Sequence, residues 1–179
     1  LSPNPAYWLH ASRTSRYWQL TGTLDQGVNV AVYVVGLCTP APAVVSSLHA
    51  QGRRVICYIS AGSWEDFRPD AARFPEAVKG KALDGFPNER WLDIRNLDVL
   101  TPILSGLLDM CKASGFDASE PDNIDGYSND SGFPVISSAQ IRFNTWLPNA
   151  SPSRRLPVSP NPHLDQPHAL PPLSPRPVN

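Results

Sequence analysis

The sequence predicts an α/β protein in which a mainly parallel sheet is covered by helices. Three observations lead there. Short apolar strand patterns alternate with amphipathic helix patterns as far as residue 147. A helix pattern closed by glycine runs straight into a strand twice, at Gly52 and at Gly115. The segment VICYIS, residues 55–60, is apolar up to its last residue, as a strand buried on both faces must be.

The elements follow in order. Residues 17–20 form a short strand that stops at Thr21-Gly22, and the Val-rich residues 29–35, with Tyr33, form a stronger one. Residues 43–51 are a short helix with Val44, Val45 and Leu48 at helical spacing. Gly52 stands just after it, where left-handed backbone is cheap for glycine. Residues 55–60 are the third strand and WLDI, residues 91–94, the fourth. Residues 99–113 are the clearest helix: Val99, Ile103, Leu104, Leu107, Leu108 and Cys111 share one stripe, and Gly115 ends it. Residues 116–119 form the fifth strand, followed by a loop over 120–127. Ser137 or Ser138 caps a last helix over 139–147, with Ile141, Trp146 and Leu147 available for packing. Two architectures fit this alternation, an open doubly wound sheet and a closed (β/α)₈ barrel. YISAGSW carries a single glycine, which argues against a nucleotide-phosphate loop.

Composition narrows the function. Lys and Arg number 15 against 16 Asp and Glu, so no basic excess exists to drive nucleic-acid binding by counterion release. No apolar run is long enough to span a membrane as a helix. Cys38, Cys57 and Cys111 form no CxxC or Cys/His cluster, which argues against a zinc site. Cys57, inside an apolar strand, reads as a small buried hydrophobe, and spacing permits but does not require a Cys38–Cys111 bridge. Ten of the 20 prolines fall in residues 148–179. That stretch has no aromatic residue and no periodicity, so it is expected to be a disordered tail, with a PxxP ligand as the functional alternative. The domain proper is 1–147 and the tail 148–179.

In both architectures function collects at the carboxyl ends of the strands. Trp64, Glu65, Asp66, Arg68 and Asp70 follow the third strand. In the fourth, alternation sets Trp91, Asp93 and Arg95 on one face, so Asp93 and Arg95 are expected to point inward near the mouth. Glu120, Asp122, Asn123, Asp125 and Tyr127 follow the fifth. Carboxylates, aromatics and arginine at strand ends suit a sugar cleft: rings stack on aromatics, carboxylates fix hydroxyls, and two acids run glycosidic chemistry. Asn129, Asp130 and Gly132 read as turn formers. Glu120, Asp122 and Asp125 repel one another, so a structural role alone would be destabilising. A calcium loop lacks its ligand spacing and closing Glu.

The segments ICYISAGSWEDFRPD, ERWLDIR and GFDASEPDNIDGY, in this order and spacing, resemble glycoside hydrolase family 114, the endo-α-1,4-polygalactosaminidase-type domain. The resemblance covers roughly residues 18–147. It implies a TIM-barrel fold and a secreted enzyme that cleaves α-1,4-linked galactosamine in a cationic polysaccharide, with no cofactor and no metal. It implies a retaining mechanism, with a carboxylate nucleophile and an acid/base carboxylate about 5–5.5 Å apart. On this resemblance Asp122 is the nucleophile, Asp125 its rival and Glu120 an assisting group. Tyr58, Ser60, Trp64, Arg68, Asp70, Asp93, Arg95, Asn123 and Tyr127 are expected to line the cleft.

The sequence departs from the family in three places. VVGLCT puts Gly36 and Thr39 where the family's second strand carries acids. A (β/α)₈ barrel takes about 250 residues, so about five parallel strands make an incomplete barrel. The late-strand Glu expected as acid/base has no counterpart after Leu147, where Asp165 is the remaining acid. The expectation is an artefactual or truncated carboxyl half, an inactive chain, and self-association through the open barrel side. The alternatives are a non-catalytic carbohydrate-binding protein and a non-functional product.

Overall fold

The computed structural model describes residues 14–38, 42–150 and 156–158. Four strands, β1 (Arg16–Gln19), β2 (Val32–Gly36), β3 (Arg54–Ser60) and β7 (Ala118–Asp122), form one parallel sheet in the order β1-β2-β3-β7. Helix α1 (Pro42–Ala50) connects β2 to β3, and α2 (Leu97–Ala113) leads into β7. Both helices stop where expected: Gly52 and Gly115 have φ of +76° and +87°, in the region that favours glycine. Helix α3 (Ser137–Asn149) follows β7.

Side-chain alternation sorts the sheet into two faces. Tyr33, Val35, Val55, Cys57 and Ile59 turn to the helices, where Val45, Leu48, Leu108, Cys111 and Phe116 complete an apolar core. Val32, Val34, Ile56 and Ala118 face the other way with Tyr58. That second face is strongly concave. The edge strands β1 and β7 lie three spacings apart, roughly 14 Å along a flat sheet. Yet the Trp18 indole on β1 donates to Glu120 Oε1 on β7 at 3.0 Å. Only a sheet curled towards closure brings its edges together in this way.

Four corrections to the sequence reading follow. The segment 91–94 is no parallel strand. It ends β6 (Phe86–Leu92), which pairs antiparallel with β4 (Ser63–Glu65) and β5 (Lys79–Leu83) in a separate three-stranded sheet. The parallel sheet among the described residues therefore has four strands. These antiparallel strands escaped the periodicity reading because they are short, charged and half-exposed. The fifth predicted strand starts and ends later than expected, so Glu120 and Asp122 belong to β7. Cys57 is bonded to Cys111, tying β3 to α2, while Cys38 is free and exposed. Cys57 and Cys111 lie in the same apolar core between β3 and α2, where packing brings them together. Finally, α3 runs through Pro148 to Asn149, and residues 156–158 lie along β7: Val158 bridges parallel to Ser119, whose amide donates to Pro157 O at 2.8 Å. A part of the predicted tail thus sits where a next parallel strand would pair. The rest of the tail lies outside the described residues.

A second core joins the two sheets. Leu100, Ile103, Leu104 and Leu107 of α2 and Phe143 and Leu147 of α3 pack with Phe74, Val78, Leu92, Ile94 and Ile124. It fixes the antiparallel sheet against the barrel segment, beyond the carboxyl end of β3. Among the described residues no helix is long and apolar enough to cross a membrane.

Candidate active site

Parallel register aligns the inner-face residues in layers: Gly36 beside Tyr58 and Tyr58 beside Glu120, then Ser60 beside Asp122. Above this last layer opens a cavity of about 540 Å³. Its floor is Tyr58, Ser60 and Asp122. One side is Leu20, Thr21, Leu37 and Cys38, and the other is Glu65, Phe67, Arg68, Phe86 and Glu89.

Asp122 ends β7, and the Tyr58 hydroxyl donates to its Oδ2 at 2.7 Å. Burial pushes the Tyr58 hydroxyl far above its usual range, and the Asp122 charge and hydrogen bond push it further. Tyr58 is therefore a permanent donor that orients the carboxylate. Asn123 adopts φ +56°, a left-handed conformation that asparagine tolerates better than most residues. There its amide donates to Ser60 Oγ at 2.7 Å and Ser63 Oγ at 3.3 Å. Those two hydroxyls are bonded to each other, and Ser63 donates on to Glu89 Oε2 at 3.0 Å. One polar chain thus links the end of β7 to the antiparallel sheet. Gly62 permits it, since a Cβ there would lie 1.7 Å from the Asn123 carbonyl oxygen.

Arg68 is buried. It grips Asp70 with two bonds of 2.8 and 2.9 Å, and donates to Ser60 O at 2.7 Å. Glu65 Oε2 lies 3.4 Å from Arg68. Burial nevertheless pushes the Glu65 carboxyl up to about 7, with the Arg68 charge opposing and Glu89 adding to the rise. Glu89 is also raised, first by burial, then by the Asp122 charge, against the Ser63 hydrogen bond. The Cys38 thiol, exposed at the cavity edge, is pushed up by partial desolvation, with the Arg68 charge opposing.

Of the residues picked from sequence, Tyr58, Ser60, Arg68 and Asp122 come together at the cavity, with Asn123 and Asp70 directly behind. Glu120 lies one layer below Asp122, roughly 7 Å along the strand, where Trp18 and Arg16 approach its oxygens. The others go elsewhere. Asp125 does not line the cavity, and its carbonyl holds the turn of Ser128 and Asn129. Trp64 packs on the second core, donates to Ala71 O and carries Lys79 over its ring. Tyr127 packs on that same core, and its amide donates to Gln140. Asp93 is buried but does not reach the mouth. It clamps Arg95 at 2.7 and 2.8 Å and Asn96 at 2.8 Å, because the chain turns there into α2 instead of continuing as a strand. The sequence reading passed over Glu89, Phe67 and Phe86, and named Glu65 without assigning it to the cleft. The alternation of FPNERWL was the available signal for Glu89, hidden by the prediction of a strand starting only at Trp91.

A curled parallel sheet with acids gathered around a hollow at its carboxyl ends is the arrangement of barrel-type glycoside hydrolases. The family model described as Glycoside-hydrolase family GH114 matches residues 2–174, and the chain belongs to that family. The match continues past Leu147, where the sequence resemblance was expected to stop. Among solved structures, Aspergillus fumigatus Ega3 in complex with galactosamine is similar at 36% identity and a TM-score of 0.77, over 81% of this chain and 58% of that one. The glycoside hydrolase domain of PelA from Pseudomonas aeruginosa is 17% identical with a TM-score of 0.60, over 82% and 58%. A hypothetical protein from Ruminiclostridium thermocellum ATCC 27405 is 16% identical with a TM-score of 0.53, over 75% and 84%. The last two show the fold alone. No curated protein matches the chain. The chain thus spans 58% of the length of Ega3, and its fold is a partial TIM barrel.

Proposed function

We propose that this chain carries the cleft of a secreted glycoside hydrolase acting on α-1,4-linked galactosamine polymers. One observation carries the reading: the Asp122 carboxylate, oriented by the Tyr58 hydroxyl at 2.7 Å, lies on the floor of a cavity that Glu65 and Glu89 also line. Family membership and the galactosamine bound to Ega3 support it.

In the proposed reaction Asp122 attacks the anomeric carbon, and a second carboxyl protonates the departing glycosidic oxygen. Water then enters with that second group acting as base. Tyr58 orients the Asp122 carboxylate through its hydrogen bond to Oδ2. Asn123, through Ser60, holds the end of β7 in place. Asp125, away from the cavity, is the weaker nucleophile candidate. The acid/base partner is assigned to a barrel strand beyond β7, outside the described residues. The 179-residue chain alone is expected to show little or no turnover, since none of the described carboxyls is assigned as the acid/base partner.

The test is release of reducing ends from partially deacetylated galactosaminogalactan, read beside calorimetric binding of galactosamine oligomers. Release that is abolished in Asp122→Asn, with an unchanged unfolding midpoint, supports the reading. Full activity in that variant removes Asp122 from its role. Binding without any release favours a carbohydrate-binding protein instead, and neither binding nor release sinks both.

A further inference from the structure

We infer that residues 156–158 are a capping strand: they dock on the β7 edge of their own copy, in the place of a next barrel strand, so that two copies do not pair through that edge. The inference is independent of the proposed activity.

The two edges of the parallel sheet differ. In the order β1-β2-β3-β7 each outer strand would show water a row of backbone donors and acceptors, a template for pairing with another chain. β1 is half-exposed, yet the first four residues of β7 are buried. The segment 156–158 lies along that buried edge. The Ser119 amide donates to Pro157 O at 2.8 Å, and Val158 bridges parallel to Ser119. Side chains hold the segment as well. Leu156 packs on the apolar core of Cys57, Leu108, Cys111 and Phe116, and all three residues of the segment are partly buried.

Proline explains why so short a cap suffices. Backbone groups alternate in direction along a strand, so within β7 the residue that shares the outward direction of Ser119 is Pro121. Proline has no N–H. Ser119 is therefore the outward donor of β7, and Pro157 accepts from it. The Pro157 ring also restricts its own backbone, which lowers the entropy lost when the segment is ordered. The connection favours the same copy. Ala150, directly after α3, packs on the same core as Leu156, so the chain is delivered beside β7. A short connection of this kind gives a local concentration on the order of millimolar, above that of a second copy in dilute solution. Pro157 opens the PxxP pattern of residues 157–160. Its docking commits that proline to the fold instead of to a partner's groove.

The test is amide hydrogen exchange of the full 179-residue chain, followed by NMR at two protein concentrations, with the mass read by light scattering. The Ser119 amide is expected to exchange roughly a hundredfold more slowly than an exposed amide, equally at both concentrations, in a monomer. Leu156→Asp places a charge against the core and should speed Ser119 exchange roughly tenfold or more, while Ile56 and Cys57 at the sheet centre stay protected. Should Leu156→Asp unfold the whole chain, Leu156→Ala carries the same expectation with a smaller change. A Ser119 amide that exchanges freely in folded wild-type protein overturns the inference. So does Ser119 protection that survives both substitutions at Leu156. Protection that rises with concentration, together with a dimer mass, assigns the edge to a second copy and overturns the inference as well.

Discussion

Glu65→Gln should stabilise the folded protein above neutral pH and leave it unchanged in acid. The Glu65 side chain is 12% exposed, and its pKa rises from 4.5 to about 7 in the fold. A raised carboxyl pKa means that the folded state binds the proton more tightly than the unfolded chain. Its contribution is fully favourable below about 4.5 and is lost as pH climbs through about 7. The shift corresponds to roughly 3 kcal/mol, at about 1.4 kcal/mol per unit. A glutamine has no proton to lose, so the variant keeps its stability across this window. The Arg68 charge and hydrogen bond, which oppose the rise, are already contained in the value of about 7. Urea unfolding from pH 4 to pH 8 measures the effect. The difference between variant and wild type should grow by about 2–3 kcal/mol across that range. Other titrating groups are common to both proteins and cancel. A difference that is flat with pH would refute the reasoning and make Glu65 an ordinary solvated acid.

Two further substitutions probe what holds the cleft. Gly62→Ala would drive a methyl to 1.7 Å from the Asn123 carbonyl oxygen, so β7 and the antiparallel sheet must move apart. A stability loss of roughly 1–3 kcal/mol is expected, with weakened sugar binding, by urea unfolding and calorimetry. A normal midpoint with normal binding would show that the close approach is dispensable. Replacing Cys57 and Cys111 by serine opens a link across a sequence separation of 54 and should lower stability by roughly 4 kcal/mol in the chain-entropy account. An unchanged unfolding midpoint under reducing and oxidising conditions would contradict it.

The placement of the site follows from one insertion. Between β3 and α2 the chain makes three antiparallel strands instead of going directly into a helix. The apolar residues Trp64, Val78 and Leu92 dock that excursion on α2 and α3. Its opposite face is then free to carry acids over the carboxyl ends of the parallel strands. Buried carboxylates there cost stability, which is the usual mark of a site kept for binding or chemistry. Gly36 belongs to the same logic. It lines the cavity where the family pattern led to an acid, and Glu65 and Glu89 of the antiparallel sheet line the cavity from the other side.

Much of this protein could be read before its structure was known. The Val-rich strand, VICYIS and the stripe of α2 carry strong period signals because their faces are uniformly buried, and two glycines mark the helix ends. Asp122 and Tyr58 were named for the cleft on the family resemblance, and the register of β3 and β7 sends both to the inner face. Tertiary structure decided the rest. Asp93 and Arg95 share the right parity for the mouth, but a turn into α2 satisfies them locally. Trp64 became core and Phe67 rim because docking of the antiparallel sheet, a long-range event, chose which aromatic to bury. The Cys57–Cys111 bridge needed two faces to meet across a sequence separation of 54. Local pattern determines which side of its own element a residue occupies; only the packing of elements determines what that side faces.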